Sequence, residues 1–501
     1  MPTKSVMFQG ATSDAGKSFV VAALCRILKK NHFRVVPFKS QNMSLNSFIT
    51  KNGKEMSRSQ AFQAEAAGVE PEVSMNPILL KPSSDMDSQV IISGKIFANM
   101  DALTYQNFKP RLKKKIGQVY NSLTQNNDAI VLEGAGSPAE INLNEDDIVN
   151  MGMAKIAKCP VILVADIDKG GVFASIYGTL KLLDKKDRKR VKGIIINKFR
   201  GDKNLLKSGN QMIEKLTGVP VVGVLPWSDI DLDEEDSVVL NRKSEIKNQA
   251  RIIDIAVISL PKISNFTDFH NLEIQPDVSV RYVVKPEQIG IPDVLILPGS
   301  KNTNQDLFYL RKKGFIKPIL KLHLRGCEIV GICGGFQMLG LKLDDPLHIE
   351  SKISSQDGLG LLPIETKFNF QKKTTEDTVV HNGFKLYGYE IHMGITNYKG
   401  KSQPFAEIIA SNGKPEKRKD GLVNPDKNVW GTYLHGIFDN EKWTRNYLNK
   451  LRIKRGLKPL SSGNIDFKAY KEKQYQKLAQ LFKDNVDMFK IKQILDNSVS
   501  N

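Results

Sequence analysis

Short apolar runs recur along this chain, and nearly every one stops at glycine or a polar residue. Ser5 to Gln9, Arg34 to Lys39, Ala129 to Leu132, Pro160 to Val164, Gly193 to Ile196 and Pro220 to Leu225 have the length and punctuation of buried strands. Phe19 to Lys30, the polar stretch 57–68 and the segment after Met151 read as helices between them. A second series comprises Ile252 to Leu260, Val278 to Val283, Val294 to Leu297, Cys327 to Ile332 and Val429 to Leu434. Strands alternating with helices, with chemistry-bearing residues at the strand ends, predict an α/β chain of two doubly wound domains. The first is expected over 1–228. An acidic and polar linker follows over 229–250, then a second domain over 251–440 and a charged helical tail over 441–501.

Within this pattern the stretch GICGGFQMLG, 331–340, stands out. It sets Cys333 among glycines directly after a strand, with a helix expected from Phe336. Small residues on both sides allow a sharp turn that leaves a nucleophile exposed at the strand tip, and a following helix N-terminus favours a thiolate. The flanking glycines have no evident packing purpose, which argues against a merely buried thiol. A cysteine nucleophile needs a base. His435, in GTYLHGIF after another strand-like run, is the candidate; His392, in GYEIHMG, is its competitor.

The first strand leads into GATSDAGKS, 10–18, and then a helix. Strand, glycine-bounded loop and helix are what a phosphate-binding P-loop requires. Gly10, Thr12, Asp14, Ala15 and Gly16 would form the loop, Lys17 would neutralise phosphate, and the Ser18 hydroxyl would ligate Mg²⁺. Glu133, at a strand tip in EGAGSPAEINL, is the second metal candidate. Asn197, in NKFRGD, is placed toward the adenine. The segment from 40 to 85 is dense in polar side chains, with MNPILLKPSSD at its end read as a loop.

At 501 residues the chain is too long for one core. No run approaches the roughly 20 apolar residues of a membrane span, and no secretory pattern precedes Ser5. Cys25, Cys159, Cys327 and Cys333 are too widely spaced for a disulfide framework or a zinc site. A reducing cytoplasm and no membrane partner are therefore expected. The net charge of +19 raises nucleic acid as a partner. Its lysines and arginines are scattered in runs without interleaved aromatics, which is the pattern of a solvated surface, so no nucleic-acid partner is expected.

The residues around Cys333 and His435 resemble the class I, triad-type glutamine amidotransferases. That resemblance implies a cysteine thioester, with oxyanion donors at Gly334 and around Gly299 in LPGSKNT. In most of that family a glutamate sits two residues after the histidine; here the position is Ile437. The chain then carries a Cys333–His435 dyad whose third member is missing or supplied from elsewhere, itself a feature of the branch that amidates cobyrinic acid. Five residues, not four, separate Gly10 from Gly16, a spacing that resembles the dethiobiotin synthetase-like P-loop proteins.

A P-loop synthetase domain joined to such an amidotransferase looks like the glutamine-hydrolysing, cobyrinic acid-amidating family of the vitamin B12 pathway. The stretches QGATSDAGKS, PFKSQNMSLNS, ADIDKGGVFAS, INKFRGD, LPGSKNT and GTYLHGIF resemble its branch that amidates the b, d, e and g carboxylates of adenosylcobyrinic acid a,c-diamide. SQNMSLNS and INKFRGD argue against the branch that makes the a,c-diamide itself. A partition-type ATPase would leave Cys333 and His435 unexplained. The resemblance implies ATP, Mg²⁺, glutamine and a corrinoid as small-molecule partners, and no tightly bound organic cofactor. It makes Lys39, Gln41, Asn42, Asn46 and Lys81 candidates for substrate binding and leaves the oligomeric state open.

Overall fold

The first six apolar runs assemble into one sheet. In spatial order its strands are Val221–Pro226, Val191–Phe199, Val161–Asp166, Lys4–Gly10, Ala129–Glu133 and Val35–Phe38, and every neighbouring pair is parallel. The computed structural model describes residues 2–83, 87–143, 145–233, 252–400, 403–460 and 465–499. Alternation along the strands explains why they are almost continuously apolar. Val6, Phe8, Ala129 and Val131 face one core layer, which also holds Val20, Val21 and Leu24 of the Lys17–Lys30 helix. Met7, Ile130 and Leu132 face the opposite layer, shared with Leu112, Ile116 and Tyr120 of the Ala102–Thr124 helix. The 10–18 loop therefore emerges at the carboxyl edge of a central strand, where doubly wound sheets bind ligands.

The second sheet runs Val278–Val283, Ile253–Ile258, Val294–Leu297, Glu328–Ile332, Val429–Thr432 and Leu422–Val423. Its first five strands are parallel and only the edge pair is antiparallel. Between Ile332 and Val429 the chain builds a further sheet around two long antiparallel strands, Ile364–His381 and Phe384–Tyr398. The GYEIHMG segment lies on the second of them.

The structure differs from the expectations in three places. The segment 75–85 is not all loop: Ile78–Pro82 is a strand, in a four-stranded sheet with Gln41–Met43, Asp87–Ile92 and Lys95–Asp101. Ile78, Leu79 and Leu80 are buried there, and that apolar run outweighs the turn-forming residues around it. The helix after Cys333 begins at Gly334, two residues early, and spans only Gly334–Met338. The acidic start of the linker is not a solvated connector. Asp233 is 2% exposed, paired with Arg58 at 2.6 Å and hydrogen-bonded to His270 at 3.2 Å. Residues 234–250 of the expected linker lie outside the described residues.

The tail divides its packing between the two halves. Trp443, Tyr447 and Leu448, in the Glu441–Lys454 helix, join the core of the second sheet. Tyr475, Phe482, Ile491 and Leu495 return to the core beneath the Lys17–Lys30 helix, and Val486 bridges Gly223 on the edge strand of the first sheet.

Candidate active site

Cys333 and His435 leave the tips of adjacent parallel strands, where Ile332 is paired with Thr432. Cys333 adopts φ 51° and ψ −107°, a backbone region that a non-glycine residue holds only under constraint from its surroundings. Those surroundings revise the reading of its glycines, which pack very closely. A Cβ on Gly335 would lie 1.9 Å from the carbonyl oxygen of Leu297, and one on Gly334 would lie 2.9 Å from the Ser300 nitrogen. The strand ending at Leu297 thus presses its following loop against the elbow, and only glycine admits it.

His435 is fully enclosed, with a side chain 1% exposed. Its Nδ1 donates to Asp268 Oδ2 at 2.7 Å, and the other carboxylate oxygen accepts from the Gly436 backbone N–H at 2.9 Å. The ring stacks on Tyr389 with centroids 5.2 Å apart. Burial acts to lower the imidazole pKa, but the charges of Asp268 and Cys333 outweigh it and raise the pKa to about 10. Nε2 has no hydrogen-bond partner among the described residues, and Cys333 Sγ turns to the Ile391 carbonyl at 3.4 Å. Gly299 lies against the same ring: a Cβ there would be 3.1 Å from His435 Cε1.

Ile437 is buried in the core, so the position two after the histidine contributes packing. The carboxylate comes instead from Asp268, in the Phe266–Phe269 turn after the first strand of the second sheet. Sequence reading passed over it. The only local signal was an acidic residue in the loop following the Ile252 to Leu260 run. His392 lines the same cavity as Cys333, but its Nε2 faces Glu390 at 3.8 Å and its ring stacks on Tyr433.

At the first sheet, Asp14 and Gly16 take positive φ values of 55° and 89°, and the loop curls over the start of the Lys17–Lys30 helix. Ser18 Oγ donates to Glu133 Oε1 at 2.9 Å, while Lys39 Nζ lies 2.8 Å from the same oxygen. Gln63 Nε2 donates to Glu133 Oε2 at 2.5 Å. Lys17 Nζ reaches the Gly136 carbonyl at 3.5 Å. Thr12 Oγ1 is buried without a hydrogen-bond partner among the described residues, as expected of an atom placed for a ligand. A Mg²⁺ ion in a nucleotide site takes few protein oxygens, since phosphates and waters complete its shell; the adjoining Ser18 hydroxyl and Glu133 carboxylate fit that donor set. Asn197 spends its side-chain amide on the loop, donating to the Ala15 carbonyl at 2.9 Å.

Most residues expected to bind substrate are built into the protein. Lys39 is committed to Glu133. Gln41 accepts from the Tyr105 hydroxyl at 2.6 Å. Asn42 bonds Ser57, Ser59 and Gln60. Asn46 and Lys81 reach the second half: Asn46 Oδ1 accepts from Phe266 N at 3.2 Å, and Lys81 lines the Cys333 cavity.

Two family models cover these two halves. Residues 6–238 match a CobQ/CobB/MinD/ParA nucleotide binding domain, and residues 254–443 match a CobB/CobQ-like glutamine amidotransferase domain. The chain is 62% identical over 498 residues to a cobyric acid synthase of Limosilactobacillus reuteri (strain DSM 20016), covering 99% of each. The chain belongs to the cobyric acid synthase family. Other members are those of Streptococcus sanguinis (strain SK36), at 56% identity over 98% of this chain and 99% of that one, and of Listeria monocytogenes serotype 4b (strain F2365), at 55% over 98% and 96%. Family membership makes the protein a glutamine-dependent amide ligase that pairs a nucleotide-binding half with an amidotransferase half. Among the described residues no helix is long and apolar enough to cross a membrane.

Proposed function

We propose that this protein amidates the b, d, e and g carboxylates of adenosylcobyrinic acid a,c-diamide in the cytoplasm, with glutamine as nitrogen donor and ATP as activator. The observation that carries this reading is the Cys333–His435–Asp268 alignment, joined in one chain to the Lys17, Ser18 and Glu133 cluster.

Cys333 Sγ attacks the glutamine carboxamide carbon. His435 holds the proton given up by the thiol and delivers it to the departing ammonia, while Asp268 fixes the ring through Nδ1. Backbone N–H groups at Gly334 and near Gly299 stabilise the oxyanion. Water, deprotonated by His435, then attacks the thioester and releases glutamate and the free thiol. At the other site the substrate carboxylate attacks the γ-phosphorus of ATP and ADP leaves. Ammonia then displaces phosphate from the acyl phosphate to form the amide. Lys17 and the loop N–H groups hold the phosphates in line. Ser18 and Glu133 would hold Mg²⁺, which supplies charge neutralisation there.

Mass spectrometry of adenosylcobyrinic acid a,c-diamide incubated with protein, MgATP and glutamine tests the reading. Four successive replacements of hydroxyl by amino are expected. An unchanged corrinoid with continuing glutamine hydrolysis would assign the chemistry to another carboxylate.

A further inference from the structure

The cavity that holds Cys333 is built from both halves of the chain. Lys301, Glu350 and Lys372 come from the amidotransferase half, whereas Lys81 comes from the nucleotide-binding half. Two of these lysines share a single carboxylate, which leaves one positive charge between them uncompensated. Glu55 takes Lys81 at 3.0 Å on one oxygen and Lys372 at 2.5 Å on the other, and Lys81 also donates to Ser47 Oγ at 2.9 Å.

Lys301 differs. It is only 8% exposed, and among the described residues its ammonium has no hydrogen-bond or ion-pair partner. Burying an unpaired ammonium costs far more than burying a paired one, and here the group faces a cavity. Glu350 lines the same cavity, and among the described residues its carboxylate accepts only from the Thr303 backbone N–H, at 3.3 Å. Its charge is felt at Lys301 without a contact between the two. A carboxylate and an ammonium that share a cavity without touching are complementary to a zwitterion set between them.

We propose that this cavity receives the amino-acid end of glutamine, its α-carboxylate against Lys301 and Lys81 and its α-ammonium against Glu350. The proposal rests on Cys333 being the glutamine nucleophile, because that places the carboxamide at the thiol end of the same cavity. As it stands the cavity encloses about 30 Å³, room for a water or two. Glutamine therefore enters with movement of the long side chains that close it. One of these, Lys81, belongs to the half that binds nucleotide, so the glutamine site is complete only when the two halves are docked.

Ammonia release from three amides tests this: glutamine, 4-aminobutanamide (no α-carboxylate) and glutaramate (no α-amino group). The wild-type protein should prefer glutamine over 4-aminobutanamide by about 10- to 100-fold in kcat/KM, the size of one charge-assisted hydrogen bond. Lys301→Met should erase that preference while keeping the preference over glutaramate, and Glu350→Gln should do the reverse. Melting temperatures identify a variant that fails to fold, and Lys301→Gln then takes the place of Lys301→Met. Full discrimination against 4-aminobutanamide in a folded Lys301 variant overturns the proposal. Continued glutamine hydrolysis by Cys333→Ala would instead overturn the assignment of the nucleophile on which it rests.

Discussion

The Asp268 carboxylate lies 2.7 Å from His435 Nδ1 across 167 positions of sequence. Both partners are buried, at 3% and 1% side-chain exposure, so water does not compete for the hydrogen bond. The second oxygen of Asp268 is held by the Gly436 backbone N–H, which fixes the carboxylate against the ring it orients. A turn after the first strand of the sheet thus does what a residue two positions after the histidine does in other triads.

Asp268→Asn should keep the geometry and lose the charge. Glutamine-dependent kcat should fall by about 10⁴-fold, as when the acidic member of a hydrolytic triad becomes an amide. The sign of the pH effect follows from the charges. Asp268 helps raise the His435 pKa to about 10, so its removal lowers that pKa and the imidazolium is lost at lower pH. The alkaline limb of the glutaminase profile should move down. A limb that stays in place would separate Asp268 from the titration of His435.

Cys333→Ala removes the proposed nucleophile at the elbow. Turnover from glutamine should disappear, while amide formation from added ammonium chloride continues, because the phosphate loop lies at the tips of a different sheet. Measuring both donors on one preparation checks this. Loss of both activities together would mean that Cys333 supports the fold.

Lys17→Ala should have the complementary effect and reduce amide formation from either nitrogen donor by at least about 100-fold, the scale of removing one preorganised charge partner. Glutamine hydrolysis assayed alone should survive. Ammonium-driven amidation at wild-type rate would place nucleotide activation elsewhere.

Features carried by contiguous residues were legible in the sequence: strands ending at Gly10, Glu133, Ile332 and Thr432, and the two loops that leave them. Short continuous apolar runs and turn-forming glycines are local signals that survive without coordinates. Asp268, the docking of Asn46 on Phe266 and the return of Tyr475 and Phe482 to the first core were not legible. Each depends on contacts between segments far apart in sequence. Ile78–Pro82 was misread because its apolar residues are flanked by proline and serine, which in isolation signal a loop. The close packing of Gly335 was invisible for a related reason: the strand it touches lies almost forty residues earlier.

Gly335→Ala tests that packing. The new methyl would meet the Leu297 carbonyl at 1.9 Å, and backbone on both sides leaves nothing flexible to move aside. A loss of about 1–3 kcal/mol of stability is expected from overpacking, with glutamine turnover impaired because the displaced strand carries the loop to Gly299. Urea denaturation reads the first effect and glutaminase assay the second. Wild-type stability would mean that the elbow has room to shift.

His270 joins the halves and makes stability depend on pH. Its ring sits 3.2 Å from Asp233 and 3.0 Å from Asp231. Asp233 in turn pairs with Arg58 and with Lys471 of the tail. Burial acts to lower the His270 pKa, but the two carboxylates prevail and raise it to about 10. In the unfolded chain a histidine titrates near 6.5. A pKa raised on folding means that the native state binds the extra proton, so the stabilisation is complete below about pH 6.5 and is lost as pH rises toward 10. His270→Gln should therefore be less stable than wild type at pH 6, and the difference should shrink steadily by pH 10. Urea midpoints measured at several pH values across that window give the answer. A constant difference would assign His270 a packing role and leave the carboxylate pair to Arg58 and Lys471.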